Sequence, residues 1–191
     1  MKKLLILLVL VFSACSEMYV VPEDHYLIKA GKHESQLSNG MSIDKLSALK
    51  TNRLMFTARF DESARYDLGN NDHFDINKLL GFSEANQHHH KNSVRFGWRY
   101  NLNSEKVEIF SYVYKDSELE YDLITDVSLN VTLEYQINLF DNSYEFVVDG
   151  ITKVVERNAE QKVGVYYKLY PYFGGDEPAP HDISIFIKEG Y

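Results

Sequence analysis

A single cysteine, Cys15, stands among the 191 residues. The chain therefore cannot close an internal disulfide, and it has no thiolates for a cysteine-ligated zinc or an iron–sulfur cluster. Long apolar runs are also missing. The longest, Leu4 to Phe12, has nine residues, far short of the roughly 20 that cross a hydrocarbon core. Four prolines and ten glycines leave no Pro/Gly-rich linker, and neither an internal repeat nor a low-complexity run is visible, so one domain is expected. Positive charge is scarce. Beyond residue 14 the chain carries 18 Lys+Arg against 28 Asp+Glu, a formal charge of −10. That balance excludes a nucleic-acid partner, which needs clustered basic residues, and argues against electrostatic adhesion to anionic lipid. No nucleophile elbow, phosphate loop or dinucleotide fingerprint is present.

What the beginning does contain is a short export pattern. Lys2 and Lys3 precede the apolar run, and Phe12-Ser13-Ala14-Cys15 closes it. This resembles the lipobox of bacterial lipoproteins, with Phe12 where leucine is usual. The resemblance implies that residues 1–14 are a cleaved signal peptide, that Cys15 is lipidated, and that 15–24 is a tether to a domain at 25–191. Two or three acyl chains anchor stably, at about 0.8 kcal/mol per buried CH₂. Ser16 after the cysteine implies sorting to the outer membrane of a double-membraned cell. The membrane, through this anchor, is the expected partner, and the cell envelope is the expected location.

The remainder reads as strands. Fourteen Tyr and eleven Phe favour β-structure. Strands are expected at 26–30, 53–60, 94–100, 106–115, 119–124, 128–140, 143–149, 152–157, 163–173 and 182–188. In 128–140, Val131, Leu133, Tyr135, Ile137 and Leu139 share one face by the two-residue period. Asp141-Asn142 and Asp149-Gly150 read as hairpin turns. One short helix is expected at 75–80, capped by Asp75 and ended by Gly81. The sum is an all-β antiparallel β-sandwich.

The aromatic run Val163 to Phe173, the turn Gly174-Gly175 and the final alternating isoleucines Ile183, Ile185 and Ile187 resemble the closing part of concanavalin A-like jelly rolls, which are common in lectins, glucanases and polysaccharide lyases. The stretches Asn92 to Arg99 and Pro171 to Asp182 resemble a group of bacterial surface lipoproteins to which no activity is assigned; this bears on fold and location. A further likeness is to alginate lyases. Their Gln-Ile-His motif is similar to Gln136-Ile137-Asn138, with Asn138 in place of the histidine. Their Tyr-Phe-Lys-Ala-Gly-x-Tyr strand is similar to Tyr166-Tyr167-Lys168-Leu169-Tyr170, without the glycine. A lyase reading would divide the roles among Arg95 or Arg99, Gln136, Tyr167 and a loop histidine as base.

Several clusters are candidates for chemistry. On a strand, Phe96, Trp98 and Tyr100 face one way, while Arg95, Gly97 and Arg99 face the other. Gly97 would leave room for a ligand beside two guanidiniums. Arg95, Trp98, Arg99, Gln136, Tyr167, Lys168 and Tyr170 are the candidate ligand-binding residues. No cofactor is required, but a divalent metal is one open reading. In an extended segment His88 and His90 point alike and His89 away, and His181 could complete a site with them. The loop Gly174 to Asp182 carries oxygen donors that suit Ca²⁺, or is simply a shaped connection. Glu118, Glu120 and Asp122 lack the spacing of the retaining-glucanase motif and read as surface acids. Three functions stay open. The first is a lipid-anchored sandwich that binds glycan or another extracellular ligand without catalysis. The second is a polysaccharide lyase acting on uronate polymers, and the third is a structural envelope lipoprotein.

Overall fold

The protein is described by a computed structural model covering residues 22–39, 43, 48–49, 52–157 and 164–190. The expected signal segment, Cys15 and most of the tether lie outside the described residues. Thirteen strands are described: β1 (Asp24–Ile28), β2 (Ser35–Leu37), β3 (Ala48–Leu49), β4 (Arg53–Phe60), β5 (Asn77–Ser83), β6 (Ser93–Asn101), β7 (Lys106–Lys115), β8 (Glu118–Val127), β9 (Leu133–Leu139), β10 (Ser143–Val148), β11 (Ile151–Glu156), β12 (Tyr166–Leu169) and β13 (Ile183–Glu189). They form a seven-stranded sheet, β11-β10-β9-β4-β13-β1-β2, and a six-stranded sheet, β3-β12-β5-β6-β7-β8. The strand pairs are antiparallel. The two sheets make the expected jelly-roll sandwich.

Alternation explains why they stack. In β4, Leu54, Phe56, Ala58 and Phe60 are buried while their neighbours are not. In β6, Val94, Phe96, Trp98 and Tyr100 turn into the same core. Aromatic rings then bridge the sheets. Phe60 lies 5.2 Å from Trp98, and Phe96 meets Phe146 at 5.1 Å and Tyr135 at 5.3 Å. Such pairs add about 0.5–1.5 kcal/mol each beyond their area burial.

The expected helix at 75–80 is a correction. Residues 77–83 are strand β5, and Asp75 ends a 3₁₀ turn, Asn71–Phe74, instead of opening a helix. A second 3₁₀ turn, Glu62–Ala64, is the other helical piece among the described residues. Leu79, Leu80 and Phe82 are fully buried between β12 and β6. A short apolar run buried in mid-sheet has no periodicity that separates it from a buried helix. The strand at 128–140 is also shorter than expected. Asn130 adopts a left-handed φ of 61° and its N–H bonds the Phe60 carbonyl, so Val131 precedes β9 and is 45 % exposed.

One buried ion pair pins the sheets together. Glu84 follows β5 and Arg157 follows β11. Arg157 Nε and one terminal nitrogen each donate to a Glu84 oxygen at 2.8 Å, and the Tyr144 hydroxyl donates to the same carboxylate. Both side chains are almost wholly buried. Removing one partner strands the other charge in low dielectric. Glu84→Ala is expected to lower the unfolding free energy by about 3–5 kcal/mol in urea titrations. Lys153→Ala, which removes an exposed pair with Asp122, should cost less than about 1 kcal/mol.

Candidate functional site

The odd residues of β6 leave the core and reach the outer face of the six-stranded sheet. Arg95 is opposite Gly81 of β5. A Cβ at Gly81 would stand 2.2 Å from the Arg95 Cβ, so glycine here lets the arginine stem lie against its neighbour strand. The guanidinium is buried, 8 % exposed. One terminal nitrogen donates to the Tyr170 carbonyl at 2.6 Å, and Nε has no hydrogen-bond partner. No carboxylate among the described residues pairs with it. Burial holds its pKa down to about 10.

Lys78 of β5 shares this face. Its Nζ lies 5.1 Å from the centre of the Tyr112 ring and 5.9 Å from that of Tyr172. It too makes no ion pair among the described residues. Desolvation, then repulsion from Arg95, pushes its pKa from 10.5 to about 8. Burial also raises the Tyr112 hydroxyl, with Tyr114 adding to the effect.

The loop after β5 closes one side of this cleft. His88 accepts backbone N–H bonds from Lys91 at 2.8 Å and Asn92 at 3.2 Å through its carbonyl. The His89 N–H donates to the Tyr167 hydroxyl at 3.0 Å, and the Ser93 hydroxyl donates to the His89 carbonyl at 2.6 Å. These bonds make a turn, not an extended segment. His89 therefore stands with His88 and His90, against the expectation that it points away. Burial first, then the neighbouring imidazoles, pushes His89 down to about 4 and also lowers His90.

Two adjoining cavities of about 230 and 300 Å³ share His89, Arg95 and Tyr172. The first adds Lys78, His90, Ser93, Tyr112 and Tyr114; the second reaches Tyr167, Lys168 and Tyr170. Four sequence candidates therefore meet here: Arg95, Tyr167, Lys168 and Tyr170. Lys168 is already paired with Glu189 at 2.6 Å.

The other candidates go elsewhere. Trp98 is 0 % exposed, because the two-residue period sends it to the core whenever Arg95 faces out. Arg99 is held by Glu108 at 2.5 Å and by the Phe74 carbonyl at 2.9 Å. Gln136 sits on β9 in the other sheet, where it donates to Asn138 at 2.6 Å. Gly97 leaves no room for a ligand, since Ile76 fills that space and a Cβ would come within 2.4 Å of it. His181 bonds the Ser63 carbonyl at 2.8 Å and does not join the other histidines. The loop Gly174 to Asp182 is a connection held from outside. Gly174 N–H donates to Asn77 at 2.7 Å, and Asp182 accepts from Ala30 N–H at 2.8 Å. Sequence reasoning missed Lys78, Tyr112, Tyr114 and Tyr172. Lys78 was hidden in the segment read as helix. Tyr112 and Tyr114 were findable, since the period of Lys106–Lys115 puts them on one face.

No protein-family model matches this chain, and no curated protein matches it in sequence. Solved structures match in fold. Alginate lyase AlyC3 in complex with dimannuronate superposes with a TM-score of 0.51 at 11 % identity, over 87 % of this chain and 88 % of that one. Alginate lyase vAL-1 from Chlorella virus gives 0.50 at 15 %, over 86 % and 81 %. The laminarinase catalytic domain from Thermotoga maritima gives 0.51 at 10 %, over 86 % and 76 %. The chain shares their jelly-roll fold.

The half-buried Lys78 has a measurable signature. Its folded pKa lies below its unfolded one, so the unfolded chain binds more protons between the two. Its burial penalty is full below about pH 8 and is relieved as pH rises toward 10.5. Lys78→Met should therefore be more stable than the parent at pH 7, with the gap narrowing toward pH 10.5. Urea unfolding of both proteins across that range is the check.

Proposed function

We propose that this chain is a lipid-anchored envelope protein whose cleft on the six-stranded sheet binds a carboxylate-bearing glycan without catalysing its cleavage. One observation carries the reading: Arg95 is buried beside Lys78, and neither cation has a carboxylate partner among the described residues. An uncompensated buried charge costs several kcal/mol, and this chain has 28 acids with which it could be paired. An anionic ligand offsets that cost. Arginine takes carboxylates through a planar fork, and the ring faces and hydroxyls of Tyr112, Tyr114, Tyr167 and Tyr172 suit the rest of a sugar. The fold neighbour that holds dimannuronate makes polymannuronate a sensible first probe. The envelope location rests on the lipobox resemblance at Cys15.

In affinity electrophoresis, polymannuronate or polygalacturonate should retard the purified chain, and a neutral β-glucan should not. Arg95→Met should melt no lower than the parent and weaken binding about tenfold or more. Equal retardation by the neutral polymer, or an unchanged Arg95→Met, would end the proposal. Cys15→Ser should move the protein from the membrane to the soluble fraction and abolish palmitate labelling.

A second reading, uronate β-elimination, has one observation in its favour: His89, neutral at physiological pH, borders the same cavity as Arg95 and Lys78. His89 would take the proton beside the carboxylate while the two cations neutralise that acid. The C–H electrons form the ring double bond, the glycosidic C–O bond breaks, and a tyrosine hydroxyl protonates the leaving oxygen. Ultraviolet absorbance of the unsaturated product decides it. A steady gain that vanishes in His89→Ala supports elimination, and no gain sinks it while leaving binding untouched.

A further inference from the structure

The three histidines at the edge of the cleft form an arrangement that glycan binding does not require. Each offers one ring nitrogen, and the three nitrogens lie within 4.8 Å of one another. Their backbone is held by the turn bonds into His88, by Tyr167 on the His89 N–H and by Ser93 on the His89 carbonyl. His88 and His89 stack with ring centroids 4.4 Å apart, and His90 meets them edge-on at 5.2 and 4.3 Å. Among the described residues no side chain bonds these rings; the one bond to them is long, from the His90 N–H to His88 Nδ1 at 3.3 Å.

We propose that His88, His89 and His90 form a three-imidazole site for a divalent transition-metal ion, with its remaining coordination positions open to the cleft. The donor set chooses the class of ion. Imidazoles without carboxylates suit Zn²⁺, Ni²⁺ and Cu²⁺ and give nothing to Ca²⁺ or Mg²⁺, which need oxygen. Bonds of about 2.0–2.1 Å bring nitrogens to roughly 3.4 Å apart around a tetrahedral ion, so the rings must close in by about 1 Å. His88 and His90 are exposed and free to make that adjustment. Three protein ligands with an open fourth place is the pattern of sites that bind a further ligand on the metal. Here His89 and His90 also line the cavity of Arg95 and Lys78, so an ion would bring further positive charge to the same pocket.

The site replaces the sequence expectation of His88, His90 and His181. It is independent of the glycan proposal because its test uses the metal alone. Untagged full-length chain in detergent is titrated with Zn²⁺ by calorimetry. One equivalent should bind. His88→Ala and His90→Ala should each weaken binding by about tenfold to a hundredfold or more, the size that loss of even an outer partner produces. His181→Ala should match the parent. With Cu²⁺, the parent's electron paramagnetic resonance spectrum should show nitrogen couplings that disappear in the triple alanine variant. The two exposed positions make no side-chain bond whose loss would unfold the chain, so their variants keep the test decisive. No saturable uptake, unchanged uptake in His90→Ala, loss in His181→Ala, or displacement of Zn²⁺ by equimolar Mg²⁺ would each overturn it.

Discussion

The two-residue period of β6 divides the molecule. Its even positions, Val94 to Tyr100, supply the aromatic centre of the core, and its odd positions, Ser93 to Arg99, supply the outer face. Neither set can change sides without the other, because a shift of one residue exchanges every side chain. Trp98 in the core and Arg95 in the cleft are thus one structural fact. Gly81 completes it. At that single place across from Arg95, a side chain would collide with the arginine stem.

The same constraint sets a tension between stability and site. Without disulfides the sandwich depends on its aromatic core and on the Glu84–Arg157 pair, a buried charge that is fully matched. Arg95 is a buried and Lys78 a half-buried cation, and neither is matched by a carboxylate among the described residues. Both kinds of burial carry the desolvation cost, and only the first recovers it inside the chain. Cations that weaken the fold in this way make physical sense where something outside the chain completes them.

Much of this was legible beforehand, for identifiable reasons. β4 and β7 have the bounds the sequence predicted; in β4 the buried side is apolar throughout, whereas β7 is a β-branched and aromatic run buried on both sides for most of its length. Arg95, Tyr167, Lys168 and Tyr170 were named from sequence and meet in one cleft. What sequence could not supply was sheet membership. Gln136 alternates correctly along β9, yet β9 belongs to the opposite sheet, and no local pattern encodes that. Lys78 was lost with β5, whose apolar run gives no period. An extended segment would set His89 apart from His88 and His90 and leave His181 to complete the group. The turn at His88 depends on bonds from Tyr167 and Ser93, one of them 78 residues distant along the chain.

Charge sorting explains how an acidic chain can present a cationic cleft. β8 carries Glu118, Glu120 and Asp122, but its alternation turns them from the cleft. Glu120 meets Lys115 at 2.8 Å and Asp122 meets Lys153 of β11 at 2.9 Å. The residues β8 shows to the cleft side are Leu119 and Tyr121, which border Lys78 and Tyr112. Glu108 does stand on the cleft face of β7, and Arg99 neutralises it there. At physiological salt, fields decay over about 8 Å, so acids on the far faces are largely screened from the cleft. The chain's formal net charge of −8 favours solubility; the local field that an approaching carboxylate meets is set by Arg95 and Lys78 against Glu34, which lines the second cavity, and Asp75, which lies near Lys78.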